Sequence, residues 1–215
     1  MIKAEANVIG TIKRSANIRT DKNNNPYLSF VMTVVLTDAK TTSKSIDVFV
    51  SLPNANQDEA QSYVEGLRVA VNGNLDIRKK EDNLNFYLTG NTITVQNVAE
   101  LDSISGTLSF RGYLKKENIY QQKTDKNGHP FIVFSAYSLE KNGQEYLSTW
   151  VNFMRFPEKG AAVESIIPDW MHSKAHVDIT GELQVSAYND VVRLSCRVHD
   201  MTAHPIYLGE SFLIL

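Results

Sequence analysis

The sequence predicts an all-β protein made of two five-stranded barrels in tandem, each with one short helix. Three observations carry this expectation. "TDKNNNPYLSF", beginning at Thr20, returns as "TDKNGHPFIVF" at Thr124, 104 positions later. After each proline the chain alternates apolar and polar residues with the period of two that a strand half-buried on one face requires. Around these anchors the order strand, hairpin, strand, helix, hairpin is written twice, the mark of an internal duplication.

The elements follow in order. First strands are expected over 5–19 and 105–120, where "VIGTIK" (8–13) matches "FRGYLK" (110–115). Second strands start at Pro26 and Pro130. In one, Leu28, Phe30, Met32 and Val34 share a face opposite Tyr27, Ser29, Val31 and Thr33; in the other, Ile132, Phe134 and Ala136 lie opposite Phe131, Val133, Ser135 and Tyr137. Third strands are expected over 44–52 and 146–156. The segments 52–66 and 156–170 occupy the same slot and read as the helices. "VAVNGNLDI" (69–77) and "VDITGELQV" (177–185) read as fourth strands, which turn into the fifth at 79–83 and 187–190. Glycines recur in the first and fourth strands, where a small barrel has to bend. Five bent strands with a helix between the third and fourth describe the oligonucleotide/oligosaccharide-binding (OB) barrel. The expected units are 1–99, 104–205 and a short tail, 206–215. The link over 96–105 is short and not flexible in composition, so the barrels are expected to be held close.

Composition narrows the function. Hydrophobic residues make up 42% of the chain and the formal net charge is −2, with 11 basic and 12 acidic residues in each half. That balance excludes a polybasic arm, so affinity for a polyanion has to come from local placement and from stacking. One cysteine, Cys196, excludes an intramolecular disulfide and suits a reducing compartment, which points to the cytoplasm. No apolar run approaches the roughly 20 residues that span a bilayer, and the first residues do not read as a secretory leader. The histidines show no ligand spacing beyond His172 and His176. Neither a phosphate loop nor a nucleophile elbow is present. No catalytic residue, metal or cofactor is expected, and the protein is not read as an enzyme.

In "STWVNFMRFPEKG" a tryptophan, Trp150, is followed six residues later by Phe156; in "GELQVSAY" Tyr188 stands seven residues after Gly181. These spacings resemble those of the bacterial single-stranded DNA-binding proteins. The resemblance implies that the three rings are base-stacking platforms, and it covers the second half. It reaches the first half more weakly: Ile46, Leu52 and Lys80 stand at the corresponding places, and "IRKK" (77–80) lies in the strand that in the family follows the nucleic-acid backbone. It further implies sequence-independent binding of single-stranded DNA in replication, recombination or repair, and a homodimer that assembles four barrels. The family's acidic tail, which recruits replication or repair proteins, has no counterpart in "HPIYLGESFLIL", whose one acidic residue is Glu210.

The physics points to the same residue types. A base presents a flat face that any aromatic ring can stack on, and phosphates need cations. Trp150 and Phe156 share parity with Asn152 and Met154, opposite Val151 and Phe153, which puts them on the outer face. With Tyr188, Tyr27 and Phe131 they are the candidate stacking rings. The candidate phosphate contacts are Arg78, Lys79, Lys80, Lys115, Lys116, Lys126 and Arg155. Phe30, Phe49, Phe134 and Phe153 are assigned to the core. Ile46, Val48, Val50 and Leu52 form an apolar stripe that, facing outward, would mark a subunit interface. Two other readings stay open: a protein-interaction module with weak nucleic-acid binding, and an oligosaccharide- or RNA-binding barrel.

Overall fold

The computed structural model describes residues 1–37, 43–53, 57–97 and 100–204. The expected tail, 206–215, lies outside them. The first barrel comprises β1 (Ile2–Thr20), β2 (Pro26–Thr37), β3 (Ser43–Pro53), α1 (Gln57–Ser62), β4 (Arg68–Lys80) and β5 (Asn83–Val95). The second comprises β6 (Ser103–Leu114), β7 (Tyr120–Thr124), β8 (Pro130–Asn142), β9 (Glu145–Arg155), β10 (His176–Tyr188) and β11 (Val191–Ala203). In the first barrel β1 pairs with β2 and β4, β2 with β3, β4 with β5, and the parallel pairing of β3 with β5 closes the ring. The second closes in the same way through β9 and β11, with β6 and β7 sharing the role of β1. The chain is a tandem of OB barrels.

Burial follows the alternation. Leu28, Met32 and Val34 of β2 are fully buried with Val48, Val71 and Phe86, and so are Ile132, Ala136, Val151 and Phe153 in the second barrel. Phe153 packs edge-on to Phe110 and stacks on Phe134, both at 5.1 Å. The stripe Ile46, Val48 and Val50 faces this core rather than a partner. Gly10 and Gly112, equivalent positions of the two first strands, admit close backbone approach: a Cβ there would press into the carbonyls of Thr33 and Tyr137.

The two repeated loops are one turn made twice. Asp21 Oδ1 accepts the amides of Asn23 and Asn25, and Asp125 Oδ1 those of Asn127 and His129, all at 2.8 Å. Asn24 and Gly128 occupy the left-handed region these turns need, at φ +61° and +84°.

The barrels share a ladder. β1 runs antiparallel to β6 from Ile2–Phe110 to Ile9–Ser103, which joins β5, β4, β1, β6, β10 and β11 into one continuous run of strands. Glu5 pairs with Thr107, flanked by Ala4–Leu108 and Ala6–Gly106. Each of Glu5 and Thr107 stands five residues before its barrel's shared glycine, so the pairing is two-fold symmetric. The link is also clamped from the side. Asp102 accepts Arg68 Nη1 at 2.6 Å and the Val35 amide at 2.7 Å.

Two expectations need correction. The helix slot of the second barrel holds a 3₁₀ turn, Val163–Ile166, instead of a helix. Gly160 with φ +85° and Pro168 bracket it, leaving room for one turn only. The long first strand of that barrel breaks after Leu114 and resumes at Tyr120, with Asn118 in the left-handed region at φ +47°. Among the described residues no helix is long and apolar enough to cross a membrane.

Candidate nucleic-acid interface

The outer face of β8 and β9 carries two aromatic pads. At one end Tyr137 and Trp150 are cross-strand partners with rings 4.9 Å apart, and Trp150 is 49% exposed. At the other, Phe131 stacks on Phe156 at 4.7 Å. Strand parity produces both: inward Ile132, Phe134 and Ala136 force their odd-numbered neighbours outward on β8, and Val151 and Phe153 do the same for the even positions of β9. Six residues along β8 separate the pads, a span of about 20 Å.

Between them lies a polar saddle of about 410 Å³ lined by Lys115, Lys123, Ser135, Asn152, Arg193 and Ser195. Ser135 Oγ donates to Asn152 Oδ1 at 2.8 Å. Arg197, on β11, sits over the Phe156 ring at 5.1 Å, and Arg193 over Tyr188 at 4.1 Å. A cation over one face of a ring holds that ring in place and keeps positive charge within reach of the phosphates of nucleotides stacked nearby.

The Tyr137–Trp150 pad continues sideways. Tyr113 lies 5.9 Å from Tyr137 and stacks on His176 at 4.5 Å, and His204 meets His176 edge-on at 4.4 Å. Asp178 anchors this end, accepting Arg111 Nε at 2.6 Å with His204 Nδ1 2.5 Å from its other oxygen. Burial, with His204 beside it, pulls the His176 imidazole below its ordinary pKa.

The sequence-nominated residues are distributed as follows. Trp150, Phe156 and Phe131 form the two pads. Tyr188 ends β10 on the outer face, beneath Arg193. Tyr27 lies outward on β2 between Arg19 and Pro53. Lys115 lines the saddle, and Lys116 and Lys126 are exposed on adjoining loops. Arg155 points elsewhere: its Nη1 donates to the Ile166 carbonyl at 3.1 Å, and burial pulls its pKa down. Arg78 donates from Nε to Asp76 at 3.0 Å, while Lys79 and Lys80 line a cleft between the barrels.

Register shifts the correspondence between the halves by one residue. Trp150 faces Tyr137 across β8–β9, and the matching pair across β2–β3 is Asp47 and Thr33. Ile46 and Leu52 are therefore not the counterparts of Trp150 and Phe156; Asp47 and Pro53 are. Asp47 is bound by Lys13 at 2.8 Å, so this part of the first barrel is a salt bridge where the second has a ring. Phe49 is not core either. It is 38% exposed and stacks on Tyr87, itself 41% exposed, at 5.5 Å. Val48 and Val50 both point inward, and their parity is the signal that places Phe49 outside.

No family model matches the sequence. No curated protein matches it. Among solved structures, the chain is similar to the single-stranded DNA-binding protein from Thermus aquaticus, with 12% identity, a TM-score of 0.45 and coverage of 98% of this chain and 96% of that one. It is similar to Rim1, a mitochondrial single-stranded DNA-binding protein from S. cerevisiae, at 16% identity and a TM-score of 0.35, covering 45% of this chain and 91% of that one. It is similar over a like share, 45% of this chain and 96% of that one, to the Plasmodium falciparum SSB in complex with ssDNA, at 20% identity and a TM-score of 0.33.

Proposed function

We propose that this protein binds single-stranded DNA without sequence preference, by stacking bases on its outer-face rings and pairing phosphates with the cations around them. The observation that carries the reading is the arrangement on β8 and β9: two ring pairs, Tyr137–Trp150 and Phe131–Phe156, flank a saddle that holds Lys115, Lys123 and Arg193. Rings stack any base, and each stacked base contributes about 1–3 kcal/mol. Tyr188 beneath Arg193 extends the surface. Lys116 and Lys126 supply contacts at its margins, Tyr27 offers a ring on the first barrel, and Arg78, Lys79 and Lys80 act in the cleft between the barrels, on DNA strands long enough to reach it. Arg155 is turned toward the 3₁₀ turn, where its Nη1 donates to the Ile166 carbonyl.

In the finer reading, the protein coats exposed strands in replication, recombination or repair, as a homodimer of four barrels in the cytoplasm. The buried thiol of Cys196 fits a reducing compartment.

The test is tryptophan fluorescence during titration with oligo-dT at low and moderate salt. Trp150 and Trp170 are the two tryptophans, so a Trp150→Phe control assigns the signal. Saturable quenching that the control abolishes supports the proposal. Absence of both quenching and binding at low salt overturns it and favours the interaction-module reading.

A further inference from the structure

The first barrel has Thr33, Asp47 and Pro53 where the second has Tyr137, Trp150 and Phe156, yet it presents a ring pair of its own at a different place. Phe49 and Tyr87 are direct partners across the parallel β3–β5 pairing, stacked with their ring planes 24° apart, and both exposed. By register they correspond to Asn152 and Ser195, the polar saddle of the second barrel. The Arg78 guanidinium stands 5.9 Å from the Tyr87 ring centroid.

Tyr87 is also the wall of a cleft between the barrels, about 500 Å³ in volume. Lys3, Arg78, Lys79 and Lys80 of the first barrel and Lys141 of the second line it, against the carboxylates of Asp76 and Glu140. Asp76 is already engaged by Arg78. The cleft thus presents a local excess of cations in a chain whose overall charge is slightly negative.

The second barrel leads into this cleft. From Tyr137 and Trp150 the outer face of the β8–β9 hairpin continues through the pair Leu139–Ser148 to Lys141–Tyr146, with Tyr146 67% exposed. Rings therefore recur along β8–β9 at Phe131–Phe156, Tyr137–Trp150 and Tyr146, and Tyr87, stacked with Phe49, stands in the basic cleft that Lys141 of the same hairpin lines.

We propose that Phe49 and Tyr87 form a second base-stacking site, and that single-stranded DNA leaving the Tyr137–Trp150 pad crosses the inter-barrel cleft to reach it, its phosphates against Lys79, Lys80, Arg78 and Lys141. This inference rests on the single-stranded DNA reading above and specifies the path. Cations beside flat, exposed rings match a polyanion of stackable bases; an apolar protein partner would leave those charges unpaired.

Two labelled oligo-dT lengths separate the cases: one of about 8 nucleotides, within the range that one OB barrel holds, and one of about 35, long enough to cross both. The variants are Phe49→Ala/Tyr87→Ala and, on the exposed hairpin where folding is not at stake, Lys79→Glu/Lys80→Glu, with Trp150→Ala for reference. Photo-crosslinking with 4-thio-dT locates contacts directly. The expected result is unchanged affinity of both barrel-one variants for the short oligomer, at least tenfold weaker binding of the long one, and a crosslink at Tyr87. If the long oligomer binds both barrel-one variants like the wild type while Trp150→Ala loses it, the second site is overturned and the function stands. If the ring variant instead changes the sedimentation of the protein with no effect on either oligomer, the pair is a protein interface and the second site is likewise overturned. If the wild type binds neither length, the underlying reading fails.

Discussion

Trp150 and Asp47 occupy the same position of the two barrels, each facing the outward residue of the second strand, Tyr137 in one case and Thr33 in the other. Duplication has left one copy with a ring pair and the other with a carboxylate held by Lys13. Trp150→Ala is expected to weaken oligo-dT binding about ten- to a hundredfold, the loss of roughly 1–3 kcal/mol of stacking. Asp47→Asn removes a solvent-exposed ion pair and should change stability by less than about 1 kcal/mol, with short-oligomer affinity unmoved. Fluorescence anisotropy of both variants at one salt concentration makes the comparison.

The architecture was legible because period-two alternation and a duplicated loop are local signals, and both barrels obey them. The inward stripes at Leu28–Val34 and Ile132–Ala136 fall where the sequence places them. Register was not legible to the residue. Aligning the halves at a constant offset put Ile46 opposite Trp150, whereas the ladders set Asp47 there, and a slip of one residue turns every side chain to the other face. Phe49 reads as core by the habit of aromatic residues on barrel strands, whereas inward Val48 and Val50 fix its parity outward. The cleft between the barrels was out of reach, since it depends on how β1 pairs with β6, and a sequence repeat says nothing about which edges meet. The missing second helix was readable in part: Gly160 and Pro168 stand at either end of the 3₁₀ turn.

Cys196 is fully buried on β11 beside Phe153 of β9, and burial pushes its thiol up to about 12. Only the thiolate attacks a disulfide reagent. Native protein at pH 8 should therefore react with an aromatic disulfide far more slowly than the urea-unfolded chain, at a rate set by opening of the barrel. A native thiol that reacts at the unfolded rate would contradict this packing.

His176 connects pH to the ring chain. Its folded pKa is lowered, first by burial and then by His204, so the unfolded chain binds the proton more readily. The sign follows from linkage: the contribution of His176 is full above the ordinary imidazole value of about 6.5 and is lost as pH falls through it. Stacked on Tyr113 and met edge-on by His204, a protonated His176 also disturbs the approach to Tyr137. The urea midpoint should drop between pH 8 and pH 5.5, and the drop should be smaller in His176→Gln. An equal drop in both proteins would assign the titration to other groups.

Asp102 secures the joint between the barrels. Its side chain is 9% exposed, Arg68 is 15% exposed, and the two are 2.6 Å apart. Arg68 further donates to the Glu100 carbonyl at 2.5 Å and to Thr11 Oγ1 at 3.3 Å, so one guanidinium ties the link to β1 as well. Asp102→Ala removes the counter-charge and leaves the Val35 amide without its acceptor, and the loss should be about 3 kcal/mol, in the range found when one member of a buried pair is deleted. Asp102→Asn keeps a polar group of the same shape and should lose less. Replacing Arg68 by Met together with Asp102→Ala takes the stranded charge away and should recover part of the loss. Urea unfolding of the single and double variants measures this directly. If Asp102→Ala alone leaves the midpoint unchanged, the β1–β6 ladder by itself holds the barrels together and the clamp is dispensable.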